Sequence, residues 1–306
     1  MRLLVTGGAG FIGSNFVSYI LEQSEHSVVT VDSLTYAGEK ANLDAVWDHP
    51  RHEFVKGDIR DDTLIANLLE NCEAVVNFAA QTHVDRSIEG SGPFVQTNVA
   101  GSQTLFETAL DTDIERFVQI STDEVYGEIE DGVFTETDGV APRNPYAATK
   151  ASADLLGLSF YETHDLPIVL LRPSNNFGPR QHPEKLIPKL IRRASAGKSL
   201  PLYGDGTNVR EWTYVEDTCS AVETIVEQGT VGEIYNAGSG NERSNIEVAE
   251  TIVEIVGADE QLIEFVPDRP GHDQRYALDS SKLQSLGWEP KWTFRSGLDV
   301  TVDYHL

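Results

Sequence analysis

Ser121-Thr122-Asp123-Glu124 sets two carboxylates side by side next to two hydroxyls. Mutual repulsion can keep one of such a pair protonated, as an acid, while the other serves as a base. The run also fits a capping box, Ser121-x-x-Glu124, which would start a helix, but the early break at Gly127 argues against a long one. Further on, Tyr146 and Lys150 stand at i,i+4, so a helix beginning after Pro145 carries both on one face. A tyrosine of reference pKa about 10 is a poor base at neutral pH, yet an ammonium beside it favours the phenolate. A Tyr/Lys pair with an adjacent acid and base suits oxidation of a hydroxyl followed by elimination of water.

These groups need a framework. Arg2 to Thr6 is a short apolar run of the kind that forms a buried parallel strand, and Gly7-Gly8-Ala9-Gly10-Phe11-Ile12-Gly13 leads from it into the amphipathic stretch Ser14 to Glu22. Strand, glycine turn and helix together let backbone amides and a helix N-terminus approach a pyrophosphate. A second strand, Ser27 to Val31, ends in Asp32, about 20 residues past the glycines, where a carboxylate can hold the adenosine ribose hydroxyls. That favours NAD over NADP, because a 2′-phosphate would meet like charge and no Arg or Lys follows immediately.

Further strands are expected at Phe54 to Ile59, Glu73 to Ala80, Arg116 to Ser121 and Pro167 to Arg172, with long helices at Pro93 to Leu110 and Asn144 to His164. The alternation predicts an α/β fold with a doubly wound parallel sheet of the Rossmann type. Residues 1–173 form this NAD-binding domain, with a return strand at 233–238. Residues 174–306, rich in Pro and Gly loops, form a smaller C-terminal substrate-binding lobe.

The 306 residues carry a formal net charge of −26, with acidic side chains spread along the chain. Such a surface repels nucleic acid and anionic membrane, so neither is expected as a partner. The excess of Asp and Glu, the preference for Arg over Lys and the single Met suggest adaptation to high salt. An anionic substrate would then need local positive charge, for which Lys185, Arg210, Arg269 and His272 are candidates. No run of about 18 apolar residues occurs and the chain opens directly on its first strand, so a cytoplasmic protein is expected. Cys72 and Cys219 have neither metal-ligand nor disulfide-framework spacing, and no metal is expected.

The chain is similar to the extended short-chain dehydrogenases/reductases and closely resembles the dTDP-glucose 4,6-dehydratases among them. The resemblance rests on Gly7 to Gly13, Asp32 to Gly38, Ala79 to Ile88, Thr122 to Glu124, Tyr146 with Lys150, Ser174 to Pro188, Tyr203 to Arg210 and Asp268 to His272, and covers nearly the whole chain. It implies that Tyr146 deprotonates the sugar 4-hydroxyl, that Thr122 hydrogen-bonds it and that Lys150 supports Tyr146 and the nicotinamide ribose. It implies further that Glu124 takes the proton on carbon 5 while Asp123 protonates the departing 6-hydroxyl. By the same resemblance, Gly7, Gly10, Phe11, Ile12, Gly13, Asp32, Ser33, Leu34, Thr35, Asp58, Ile59, Ala79, Ala80, Gln81, Thr82, His83, Asn98 and Asn176, with Tyr146 and Lys150, hold NAD. His83, Thr122, Asn175, Lys185, Leu186, Pro201, Leu202, Tyr203, Arg210, Asn245, Asp268, Arg269, Pro270, Gly271 and His272 hold the nucleotide sugar. A homodimer through the two long helices is implied as well. The chain departs from the family pattern at Gln81-Thr82, Arg180, His182 and a shortened loop before Asp268. A 4-epimerase would use Tyr146, Lys150 and NAD without the acid/base pair, and a decarboxylase relative would carry Ser at Asp123. A silent NAD-binding regulator would have lost Tyr146, Lys150 or Glu124. The base, thymidine or uridine, stays open.

Overall fold

The computed structural model describes residues 1–306. Its strands are β1 (Arg2–Thr6), β2 (Ser27–Asp32), β3 (His52–Lys56), β4 (Ala74–Asn77), β5 (Arg116–Ile120), β6 (Ile168–Pro173), β7 (Asn175–Phe177), β8 (Leu200–Tyr203), β9 (Val209–Tyr214), β10 (Ile234–Ala237), β11 (Glu242–Ser244) and β12 (Ile263–Val266). Seven of them form one parallel sheet in the order β3-β2-β1-β4-β5-β6-β10. Alternate side chains enter opposite faces, and both faces are covered. Leu3, Val5, Val76, Val118, Val169 and Leu171 join one core, whereas Leu4, Val75, Phe117, Ile168 and Leu170 join the other. Burial on both sides is why these strands read as unbroken apolar runs. The strand order reverses between β1 and β4, which opens a crevice at the carboxyl ends of the sheet.

Several boundaries differ from the sequence reading. The first helix spans Phe11–Gln23, three residues earlier than its amphipathic stretch; Phe11, Ile12 and Gly13 line the crevice, and Phe11 and Ile12 also pack against the first core. Strand β3 begins at His52 and stops at Lys56, since its partner β2 offers a ladder only from Val28 to Asp32. Gly57, Asp58 and Ile59 therefore lie beyond the strand. The expected helix from Pro93 to Leu110 is continuous, but its middle, Val95–Gly101, is wound as a π-helix. Asp123–Tyr126 makes one 3-10 turn, capped by the Thr122 hydroxyl rather than by Ser121 and ended by Gly127 at φ +85°.

Past β6 the chain builds two small sheets, β11-β9-β7 and β12-β8, and a second core around Phe177, Leu190, Trp212, Ile252 and Leu298. It also returns to the first core more than once. Besides β10, the helix Val215–Gln228 packs Val215, Cys219, Val222 and Ile225 against the sheet, and Leu283 and Trp288 join them. Cys72 and Cys219 are buried and unpaired. No helix is long and apolar enough to cross a membrane.

Candidate active site

A cavity of about 760 Å3 fills the crevice and continues between sheet and lobe. Its floor is the glycine turn after β1. Gly7 has φ +66°, and a Cβ there would stand 2.6 Å from the Ala79 backbone nitrogen; a Cβ on Gly13 would stand 2.4 Å from the Gly7 carbonyl. Only glycines let the turn, the helix start and the loop after β4 close together around a ligand backbone. Asp32 pins this turn by accepting the Ala9 N–H at 3.0 Å and the Leu34 N–H at 2.7 Å. Burial raises its carboxyl, and the two N–H groups oppose that rise. The π-helical turn delivers Asn98, whose side chain accepts the Gln81 N–H at 2.8 Å and donates to the Gln81 carbonyl at 3.0 Å and the Thr149 hydroxyl at 2.9 Å. A wide turn at a functional site is a recurrent use of π geometry.

The opposite wall carries the titratable groups. The helix Pro145–His164 presents Tyr146 and Lys150. Lys150 Nζ donates to the Ile120 carbonyl at 2.5 Å, and burial lowers its pKa to about 8, partly countered by Asp154. Burial and then the negative Glu124 push Tyr146 upward, with the Thr122 hydroxyl pulling the other way. Lys150 is not among the groups that move Tyr146, and burial dominates there.

Asp123 and Glu124 have unlike surroundings. Glu124 lines the cavity and accepts from Asn144 Nδ2 at 3.0 Å. Asp123 is 1% exposed; its Oδ1 accepts the Thr122 hydroxyl at 3.1 Å and its Oδ2 has no partner. Burial, then Glu124 and Glu211, hold the Asp123 carboxyl well above the usual range, which favours its protonated form. One carboxyl is a buried acid and its neighbour faces the cavity.

The lobe supplies cations that are already engaged. Lys185 Nζ donates to the Thr82 carbonyl at 2.8 Å, and Arg210 donates to the Asp273 carbonyl at 2.8 Å while lying over the Tyr276 ring. Arg269 pairs with Asp85 at 3.0 Å, and the Tyr203 hydroxyl donates to the same carboxylate at 3.2 Å. Glu184 pairs with Arg86 and lies 3.5 Å from His83. Of the two divergent residues nearby, Arg180 donates to the Ser14 carbonyl and the Ser18 hydroxyl, and His182 meets Tyr36 edge-on.

The wall therefore includes Gly7, Gly10, Phe11, Ile12, Gly13, Asp32, Ser33, Thr35, Asp58, Ile59, Ala79, Ala80, Gln81, Thr82, His83 and Asn176 on the expected cofactor side. Thr122, Glu124, Tyr146, Lys150, Asn175, Lys185, Leu186, Pro201, Leu202, Tyr203, Arg210, Asn245, Arg269 and His272 line it as well. Six expected residues stand off the wall. Leu34 turns its side chain to the core at φ +53°, Asn98 sits behind Gln81 and Asp123 sits behind the Thr122–Glu124 turn. Asp268, Pro270 and Gly271 are exposed, and Asp268 instead holds His272 Nδ1 at 2.7 Å. Asp85, Glu184, Gln181, Trp212 and Tyr276 line the cavity without having been singled out. The signal for the two acids was electrostatic: a cluster of cations in so acidic a chain calls for counter-charges beside it.

The chain matches the model of the family described as GDP-mannose 4,6 dehydratase over residues 4–301. It is 63% identical over 306 residues to the low-salt glycan biosynthesis protein Agl12 of Haloferax volcanii, covering 100% of this chain and 99% of that protein. It is 48% identical over 325 residues to a dTDP-glucose 4,6-dehydratase of Xanthomonas campestris, covering 99% and 92%. Its fold matches the crystal structure of the dTDP-glucose 4,6-dehydratase DesIV of Streptomyces venezuelae, which has NAD bound, with a TM-score of 0.98 at 47% identity over 100% of this chain and 97% of that one. The chain belongs to the GDP-mannose 4,6 dehydratase family of extended short-chain dehydrogenases/reductases and closely resembles the dTDP-glucose 4,6-dehydratases.

Proposed function

We propose that the protein is an NAD-dependent dTDP-glucose 4,6-dehydratase. The observation that carries this is Asp123, buried beside the cavity-facing Glu124, both next to Tyr146: an epimerase needs the Tyr/Lys pair but no such acid and base. The glycine cradle fits a pyrophosphate, because a Cβ at Gly7 or Gly13 would collide with backbone. Asn175 and Asn176 also line the cavity, and each has a buried Oδ1 without a partner.

NAD, which the glycine turn and Asp32 would hold, would supply a two-electron acceptor for carbon 4 and a donor for carbon 6, with no net reduced cofactor. Tyr146 takes the proton of the 4-hydroxyl, with Thr122 holding that oxygen and Lys150 supplying positive charge. Glu124 removes the proton on carbon 5, made acidic by the new ketone. Asp123 gives its proton to the 6-hydroxyl, which leaves as water, and Glu124 then reprotonates carbon 5. Solvent takes the proton from Tyr146 and restores one to Asp123, which closes the cycle. Lys185, Arg210 and Arg269 suit the diphosphate, and Arg269 can exchange Asp85 for it.

Leu155 is 56% exposed and Val95 44% exposed on the two long helices, which supports a homodimer through that face, testable by light scattering. A cytoplasmic enzyme fits a nucleotide-sugar substrate. For the reaction itself, substrate deuterated at carbon 4 should yield product with that label at carbon 6 and, in D2O, one solvent deuterium at carbon 5. Label retained at carbon 4 with inverted configuration would mean epimerisation instead.

A further inference from the structure

The acid/base turn and the Tyr/Lys helix are separate pieces of backbone, and one buried side chain ties them. Asn144 is 6% exposed and lies behind the cavity wall. Its Oδ1 accepts the Ala147 N–H at 2.8 Å, capping the helix that carries Tyr146 and Lys150, and its Nδ2 donates to Glu124 Oε2 at 3.0 Å. The extended backbone at Asn144, φ −135° and ψ 160°, is that of an N-cap and of a residue preceding proline. Capping alone does not explain the asparagine. Ser and Asp cap as well as Asn, but serine has one oxygen for both contacts, and an ionised aspartate has no donor for Glu124.

We propose that Asn144 is a positioning residue for the elimination step, a reading that rests on the dehydratase assignment. Its amide holds one oxygen of Glu124 in register with the Tyr146 helix. The carboxylate is thereby fixed from behind while it faces the substrate. The other titratable groups facing Glu124 are Asp123 on its own turn, Tyr146 on the long helix, Lys185 at the start of the helix Leu186–Ser195 and Tyr276 from the segment after the lobe. Asn144 thus stands among groups of both signs, as a neutral donor that adds no charge.

Asn144→Ser and Asn144→Asp separate this role from capping, since both preserve the cap. With NAD and dTDP-glucose in single turnover, absorbance of the reduced nicotinamide reports oxidation, and quenched samples report water loss. Oxidation should stay within about threefold of the parent in both variants. Water loss should slow about 10-fold in Asn144→Ser, the scale of one hydrogen bond to a charged group. It should slow about 100-fold in Asn144→Asp, where carboxylate also faces carboxylate. Unchanged water loss, or oxidation and water loss falling together with thermal stability, would reduce Asn144 to a helix cap. A parent protein that oxidises but loses no water overturns the dehydratase reading, and this proposal with it.

Discussion

Replacing Asp123 by Asn isolates proton donation from shape. The carboxyl is 1% exposed and its burial favours the protonated form, which an amide of the same outline matches in shape and charge. Its oxygen can keep the bond from Thr122 that Oδ1 now accepts at 3.1 Å. At the position of the unpartnered Oδ2 it puts an NH2, which donates a hydrogen bond but releases no proton to a leaving hydroxyl. Loss of a general acid costs about 10²- to 10⁴-fold, and that loss should fall on water elimination alone. Stopped-flow absorbance should show the reduced nicotinamide forming at close to the normal rate and then persisting, because the step that consumes it waits on elimination. Stability gives a second readout with a definite sign. The folded value of Asp123 lies above the unfolded one, so its contribution is fully present below about pH 4 and is lost as pH rises toward the folded value. Each pH unit climbed between the two values is worth up to about 1.4 kcal/mol. Asp123→Asn should therefore gain on the parent in urea unfolding as pH rises from 4 to 7. A variant that loses stability on that climb would mean a charged, paired Asp123, and equal damage to oxidation and elimination would refute its role as acid.

Tyr146→Phe should suppress the first oxidation about 10²- to 10⁴-fold, so that no reduced nicotinamide accumulates in single turnover; a normal transient would remove Tyr146 from the oxidation step. Asp154 is fully buried, holds Arg172 Nε at 3.0 Å and the Ser121 hydroxyl at 2.8 Å, and supports the charge of Lys150 one helical turn away. Asp154→Asn should cost about 3 kcal/mol in urea unfolding by stranding Arg172. It should also move the alkaline fall of oxidation downward from the region of pH 8, because Lys150 loses the one neighbour that raises it. With a net charge of −26, the midpoint of thermal unfolding should climb as KCl rises from about 0.1 to 1 M, where the screening length shrinks from about 10 to 3 Å; a flat response would argue against adaptation to salt.

What could be read from the sequence was what local pattern determines. Strands β1, β4 and β6 announce themselves because helices bury both of their faces, whereas β3 at the sheet edge has half-exposed Phe54 and Val55 and its limits follow from pairing with β2. The π-helical turn at Val95–Gly101 left no trace, since its composition serves an α-helix equally well; what requires it is the contact from Asn98 to Gln81. The pairing of Asp123 and Glu124 was visible, but not which of them is buried, because a 3-10 turn capped by Thr122 settles that only in three dimensions. Asp85 and Glu184 escaped notice for a similar reason: their cationic partners Arg269 and Arg86 are distant in sequence and meet only when lobe and sheet close on the cavity. Asp268 was visible as part of a motif, yet it reaches the site only through His272.

The most direct test is the mass of the sugar nucleotide after incubation of the purified protein with NAD at high salt, with dTDP-glucose and UDP-glucose in parallel. Loss of one water from dTDP-glucose, faster than from UDP-glucose and without net reduced nicotinamide, is the predicted result. Unchanged mass with both nucleotides, in protein that binds NAD, would contradict the assignment of Asp123 and Glu124 to an elimination.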